Sequence, residues 1–255
     1  MYVATKSFPH QQYCIWTGYL KGYVRQAKDK FNERWLKMIV ITGASDGLGK
    51  ALAAQYVAQG KRVIGLSRSA CDAGVEYIKT DLSSDESIAN AVAKITAETE
   101  ELEALVNSAG VLSIEKIDAL TPSEIDKVLD VNVRGTMLLT SGLMAKIKKD
   151  GADIVNVAST IGRKGYVDHA TYGVSKWALR GFSANLQVEL KEYASRVISF
   201  CPGGFKTNIF VKATGTDDAA SREKWMGADD VALCLRQLLE LPKTMEVSDI
   251  VINRK

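Results

Sequence analysis

The sequence is poor in the residues that build metal centres. It has two histidines, His10 and His169, and four cysteines, Cys14, Cys71, Cys201 and Cys234, with no CxxC or other ligand spacing. A histidine-rich metal site is excluded, no metal ligands are expected, and the thiols are expected free and buried, as in a reduced, cytoplasmic protein. Long apolar runs are missing too: none approaches the roughly 20 residues of a membrane-spanning helix, so no membrane span is expected. Nor is there an excess of one charge where a polyanion would need it. The formal net charge of +3 arises in the first 37 residues, which hold seven Lys/Arg against two Asp/Glu, while the remaining 218 carry 26 against 28. Such a nearly neutral body offers no footprint for nucleic acid. After residue 37 there is no internal repeat, low-complexity run or interdomain linker.

What is present is an ordinary globular composition, 46% apolar and 25% charged over 255 residues, enough to bury a full core in one domain. Residues 1–37 stand apart as an N-terminal extension, with eight of the nineteen aromatics. Leu20, Tyr23, Val24, Ala27, Phe31 and Trp35 fall near helical spacing, which predicts a basic amphipathic helix over 19–37. It lacks the apolar core of a secretory signal. A partner- or membrane-surface helix, a targeting segment and sequence unrelated to the domain all fit. Met38, directly before the first core strand, favours the last.

From Met38 onward short apolar strands alternate with helices. Strands are expected at Met38–Ile41, Lys61–Leu66, Tyr77–Lys79, Leu105–Val106, Ile154–Ala158, Val197–Phe200 and Ile250–Ile252. Helices are expected at Leu48–Gln59 with Gly60 as stop, at Ser84–Thr99 with a serine cap, and at His169–Tyr193. A further one is expected at Ala228–Leu239, closed by Pro242. Thr121-Pro122-Ser123-Glu124 is a capping box opening another long helix. Alternation of this kind predicts an α/β fold: a single-domain, doubly wound parallel sheet over 38–255, Rossmann-like, with helices on both faces.

The first strand-to-helix turn reads Thr42-Gly43-Ala44-Ser45-Asp46-Gly47-Leu48-Gly49. Glycines there let the backbone turn tightly and approach a pyrophosphate, whose charge meets the free N–H groups of the helix start. The same residues contain GxSxG, the nucleophile elbow of hydrolases. That reading would require an acid and then a histidine late in the chain, and His169 lies well before the last strands. The second strand ends Gly65-Leu66-Ser67-Arg68, where a site for NAD would place a carboxylate against the ribose 2′-hydroxyl. Ser67 stands there instead, and the neighbouring Arg68 suits a 2′-phosphate, which favours NADP(H) over NAD(H).

Tyr172 and Lys176 form YxxxK, one helical turn apart on one face, with Ser159 thirteen residues upstream. A phenol titrates near pH 10 unperturbed, and a neighbouring ammonium would lower this. A serine can hold a substrate oxygen beside the phenol. With TGASDGLG, Asp81-Leu82, Asn107-Ser108-Ala109-Gly110, Asn132 in VNVRG, IVNVASTIG, and Pro202-Gly203 followed by Thr207, residues 38–255 resemble the short-chain dehydrogenase/reductase family. The resemblance implies a carbonyl reductase or alcohol dehydrogenase in which Tyr172 is the general acid/base. Lys176 would tune Tyr172 and hold the nicotinamide ribose, Ser159 would orient the carbonyl, and Asn132 would anchor a water of the proton relay.

It also implies cofactor contacts at Gly43, Ser45, Asp46, Gly47, Leu48, Gly49, Ser67, Arg68, Asp81, Leu82, Asn107, Ala109, Gly110, Tyr172, Lys176, Pro202, Gly203 and Thr207. A small-molecule carbonyl or alcohol substrate and a homodimer or homotetramer follow by the same analogy. Two positions depart from the family pattern: Ser108 replaces the second asparagine of NNAG, and Ala158 replaces a serine. Residues 208–226 are expected to be a polar, mobile substrate lid with little apolar wall before Trp225 and Met226, and His169 is expected at the cleft rim. A non-catalytic dinucleotide sensor on the same fold is the alternative, which the intact set of Asn132, Ser159, Tyr172 and Lys176 disfavours.

Overall fold

In β1 (Lys37–Thr42) Met38 and Val40 pack to one side and Ile39 and Ile41 to the other, all of them buried. A strand apolar on both faces belongs in the middle of a sheet covered on both sides, and that is where β1 lies. The computed structural model describes residues 37–216 and 223–255. The helix expected over 19–37 falls, except for Lys37, outside the described residues, as do His10, Cys14 and residues 217–222.

Among the described residues seven strands form one sheet: β1, β2 (Arg62–Ser67), β3 (Glu76–Lys79), β4 (Glu101–Asn107), β5 (Asp153–Val157), β6 (Val197–Pro202) and β7 (Asp249–Ile252). Their order is β3-β2-β1-β4-β5-β6-β7, with every neighbouring pair parallel. The strand order reverses between β1 and β4, and ligands of open α/β sheets bind beyond the strand ends at such a switch point. Helices cover both faces. On one lie α2 (Asp85–Ala97), α4 (Gly135–Asp150) and α5 (Ala170–Glu189), contributing Ile88, Ile95, Leu139, Leu143 and Leu186. On the other lie α1 (Gly47–Ala58) and α7 (Ala228–Leu239), contributing Leu48, Leu52, Tyr56, Val231 and Leu235.

The predicted caps form. Ser84 accepts from Ser87 N at the start of α2, and Thr121 accepts from Glu124 N at the start of α3 (Pro122–Leu129). The helix expected over His169–Tyr193 ends four residues early, at Glu189, and two further elements differ from expectation. β4 begins four residues early, because Glu101 and Glu103 sit at its outer end and pair there with Lys37 and Lys61. The single long helix expected after Thr121 is divided: a π-helical turn, Asp130–Arg134, separates α3 from α4. Among the described residues no helix is long and apolar enough to cross a membrane.

Candidate active site

The β1–α1 turn is fastened to the end of β4. Thr42 Oγ1 accepts from the N–H groups of Ser108 and Ala109 at 3.0 and 2.9 Å. Gly43 takes φ +70°, and a Cβ there would lie 2.9 Å from the Ala109 Cα, so only glycine fits. Asp46 caps α1 by accepting from Gly47 N at 2.8 Å. A Cβ on Gly49 would meet the Gly43 carbonyl oxygen at 2.5 Å. Its predicted role therefore resolves into letting α1 close onto the turn.

A cleft of about 720 Å³ runs from this turn along the C-terminal strand ends, within the range of small-molecule sites. Gly43, Ser45, Asp46, Gly47 and Leu48 line it, with Ser67 and Arg68 after β2 and Asp81 and Leu82 after β3. Ala109, Gly110, Ser159, Tyr172, Lys176, Pro202, Gly203 and Thr207 complete the predicted set found there. Asp81 Oδ1 accepts from Ser83 N and Ser83 Oγ at 3.0 and 2.7 Å. Those bonds hold its carboxyl below the usual carboxylate range, with Arg68 assisting.

Asn107 and Asn132 do not line the cleft. Asn107 is buried behind the end of β4 and donates to Thr140 Oγ1 at 3.1 Å and Asn156 Oδ1 at 2.8 Å. It pairs in register with Asn156 across β4 and β5, so it braces the sheet and does not shape the cofactor cleft directly. Asn132 lies fully buried in the π-helical turn. Its Oδ1 accepts from Val111 N at 2.8 Å, and its Nδ2 donates to Val111 O at 2.9 Å and Ser175 Oγ at 3.0 Å. Both amide protons are thereby used within the protein, so the side chain braces α5 against the loop after β4.

Ser159 follows β5 and caps the 3₁₀ turn Thr160–Gly162, accepting from Ile161 N at 3.2 Å. Tyr172 and Lys176 occupy the first two turns of α5, with Lys176 Nζ 5.5 Å from the centre of the Tyr172 ring. That ammonium donates to the Val157 carbonyl oxygen at 2.9 Å. Burial pushes the Tyr172 phenol up to about 12, and hydrogen bonding with Ser159 opposes this more weakly. Burial also brings Lys176 down to about 8, with Cys201 partly offsetting it. A phenol lowered by Lys176 was the expectation. Here desolvation raises it, and Lys176 donates to a main-chain carbonyl.

The far end of the cleft is more apolar than the sequence suggested. Ile209 and Phe210 of α6 (Ile209–Thr214) line it with Ile161, Tyr166 and Trp225. Phe210 meets Trp225 edge to face at a centroid distance of 5.6 Å. The expected lid thus supplies an apolar wall well before Trp225; Met226 instead pairs its backbone with Phe205 and Lys206. His169 lines the cleft with Nδ1 2.7 Å from the Val167 carbonyl oxygen. Sequence reasoning missed Tyr166, Phe210, Lys212 and Arg254, which reach the cleft without a motif, Tyr166 from a loop, Phe210 and Lys212 from α6, and Arg254 from the stretch after β7.

A family model described as short chain dehydrogenase matches residues 37–218. The chain belongs to the short-chain dehydrogenase/reductase family. It is 30% identical over 230 residues to an uncharacterized short-chain type dehydrogenase/reductase of Sinorhizobium fredii, covering 85% of this chain and 90% of the relative. A solved 4-hydroxyisoleucine dehydrogenase complexed with NADH superposes with a TM-score of 0.75 at 25% identity, over 86% of this chain and 97% of that one. A closed serine dehydrogenase complexed with NADP+ shares the fold, with a TM-score of 0.77 at 22% identity over 84% and 94%. This short-chain dehydrogenase/reductase is an NAD(P)-dependent oxidoreductase that passes hydride between a nicotinamide and a carbonyl or alcohol. The hydrolase and sensor readings are set aside.

Proposed function

We propose that the enzyme works with NADP(H) and that Ser159, Tyr172 and Lys176 form its reaction centre. The observation that carries this reading is one cleft holding the glycine turn at one end and, beyond it, Ser159, Tyr172 and Lys176 together. The cradle fits a dinucleotide: backbone at Gly43 and Gly47 is exposed to the cleft beside the N-terminus of α1, where anionic groups are favoured. The nicotinamide supplies or accepts the hydride.

The chain's own groups handle the proton. Ser159 donates to the substrate oxygen and fixes it beside Tyr172. The Tyr172 phenol then gives its proton to that oxygen as the carbonyl carbon is reduced, or takes it back in the reverse direction. Lys176 keeps a positive charge beside the ring below about pH 8, which favours the developing phenolate. Asn132 holds α5 in register through Ser175, whose hydroxyl also donates to the Tyr172 carbonyl at 2.7 Å.

NADP(H) preference is supported by Arg68, which lines the cleft after β2 and forms no ion pair with a described residue. Ser67, where a carboxylate would select NAD, is buried and donates to Ser69 O at 2.6 Å. The reading places catalysis in residues 38–255, with residues 1–37 an extension, and takes a homodimer or homotetramer by family analogy. Free thiols at Cys201, which is buried, and at Cys71 and Cys234, which are half-buried where full burial was expected, fit a reduced, cytoplasmic setting. Oxidation of NADPH and NADH followed against a panel of aldehydes, ketones and quinones tests the reading. Turnover with NADPH preferred supports it; turnover with NADH preferred, or none with any acceptor, sinks it.

A further inference from the structure

The turn expected to receive a pyrophosphate contains an acid. Asp46 lines the cleft at the start of α1, and its carboxylate shares that space with two phosphate charges if the dinucleotide binds as proposed. Like charges at such separation repel by a chemically significant amount even at high effective dielectric. Asp46 is not alone, however. Lys212 Nζ, from α6, lies 2.6 Å from Asp46 Oδ2, and Asn208 Nδ2 donates to Asp46 Oδ1 at 3.1 Å. Both partners come from more than 160 residues away, out of the segment that follows β6. Thr207 of the same segment rests against the turn, its Cγ2 3.0 Å from where a Cβ on Gly47 would stand.

Resting on the proposed placement of the dinucleotide, we propose that Lys212 is a cofactor-affinity determinant that acts by neutralising Asp46. The ammonium cancels the carboxylate that would oppose the pyrophosphate, and it does so only while α6 lies against the turn. Cofactor binding and the seating of this apolar substrate wall are therefore linked, each favouring the other as reciprocal coupling requires. Asp46 cannot simply be dispensed with, because it caps α1. An exposed ion pair stabilises a fold little; the effect of this one falls on binding.

The test is NADPH affinity by fluorescence titration or calorimetry, with no substrate present, for wild type, Lys212→Met, Asp46→Asn and the double variant. Asparagine keeps the capping oxygen, and methionine keeps the length of an exposed side chain, so folding is preserved. Lys212→Met is expected to weaken NADPH about tenfold at low salt, with the deficit shrinking at high salt. Asp46→Asn in the Lys212→Met background is expected to restore affinity to within about twofold of wild type. Equal weakness of the single Lys212 variant and the double variant would overturn the proposal, since Lys212 would then act on the cofactor itself or on α6 packing. So would an unchanged Lys212→Met. Failure of wild type to bind NADPH at all would instead remove the dinucleotide placement, and the proposal with it.

Discussion

Lys176 donates to the carbonyl oxygen of Val157 at 2.9 Å while its Nζ stands 5.5 Å from the centre of the Tyr172 ring. The ammonium is thus anchored to the end of β5, two residues before Ser159, and α5 is tied to the strand that delivers the serine. Tyr172 and Ser159 owe their proximity in part to that bond. Burial lowers the Lys176 ammonium to about 8, so its charge is retained at neutral pH and lost just above it.

The first prediction follows from that titration. Reductive kcat/KM of the wild type should be level below about pH 8 and fall as pH rises past it. Lys176→Met should run about a hundredfold slower or more and lack that limb. Stability should respond in the opposite sense. Unfolded Lys176 keeps its proton up to about 10.5, so between about 8 and 10.5 the unfolded state binds more protons. The cost of burying this ammonium is relieved across that window, and Lys176→Met should remove its contribution to the pH dependence. Matching pH–rate profiles for the two proteins would contradict the assignment.

Arg68→Ala should weaken NADPH by about 10- to 150-fold, the equivalent of roughly 1.5–3 kcal/mol for a charge-assisted contact, and leave NADH nearly unchanged. Paired titrations with both cofactors check this. An equal loss for both would show Arg68 acting on something common to the two, such as the Asp81 loop whose charge it influences.

Much of this site was legible because strand alternation and the glycine turn are local signals. Ile39 and Ile41 on one face with Met38 and Val40 on the other place β1 in the sheet before any partner is known. The turn's length and glycines define the first loop of the cleft. What escaped reading depends on partners distant in sequence. Nothing local marks the π-helical turn, which becomes visible only when Asn132 meets Val111 and Ser175. Asn107 is a cleft residue by family resemblance alone; its side chain instead points toward Thr140 and Asn156. The Asp46–Lys212 pair joins positions with no pattern between them.

Asn132→Ala should behave as a stability variant as well as a slow one. It leaves the half-buried Val111 N–H and carbonyl short of a partner and takes a donor from the buried Ser175 oxygen, which keeps its bond to the Tyr172 carbonyl, at a cost of about 3 kcal/mol. For a chain of this size that is a Tm lower by roughly 6–12 °C. Thermal unfolding of the purified variant measures it. An unchanged Tm would mean the bracing assigned to this side chain is absent.

The central claim is that the Tyr172 phenol carries the proton that accompanies hydride transfer. Tyr172→Phe removes one oxygen and keeps the ring over which Lys176 sits. NADPH binding and single-turnover NADPH oxidation, measured on the same samples with an accepted carbonyl substrate, separate cofactor capture from chemistry. The account predicts NADPH affinity within about twofold of wild type and a hydride-transfer rate lower by roughly 10²- to 10⁴-fold. A variant that binds NADPH and oxidises it at the wild-type rate would contradict it.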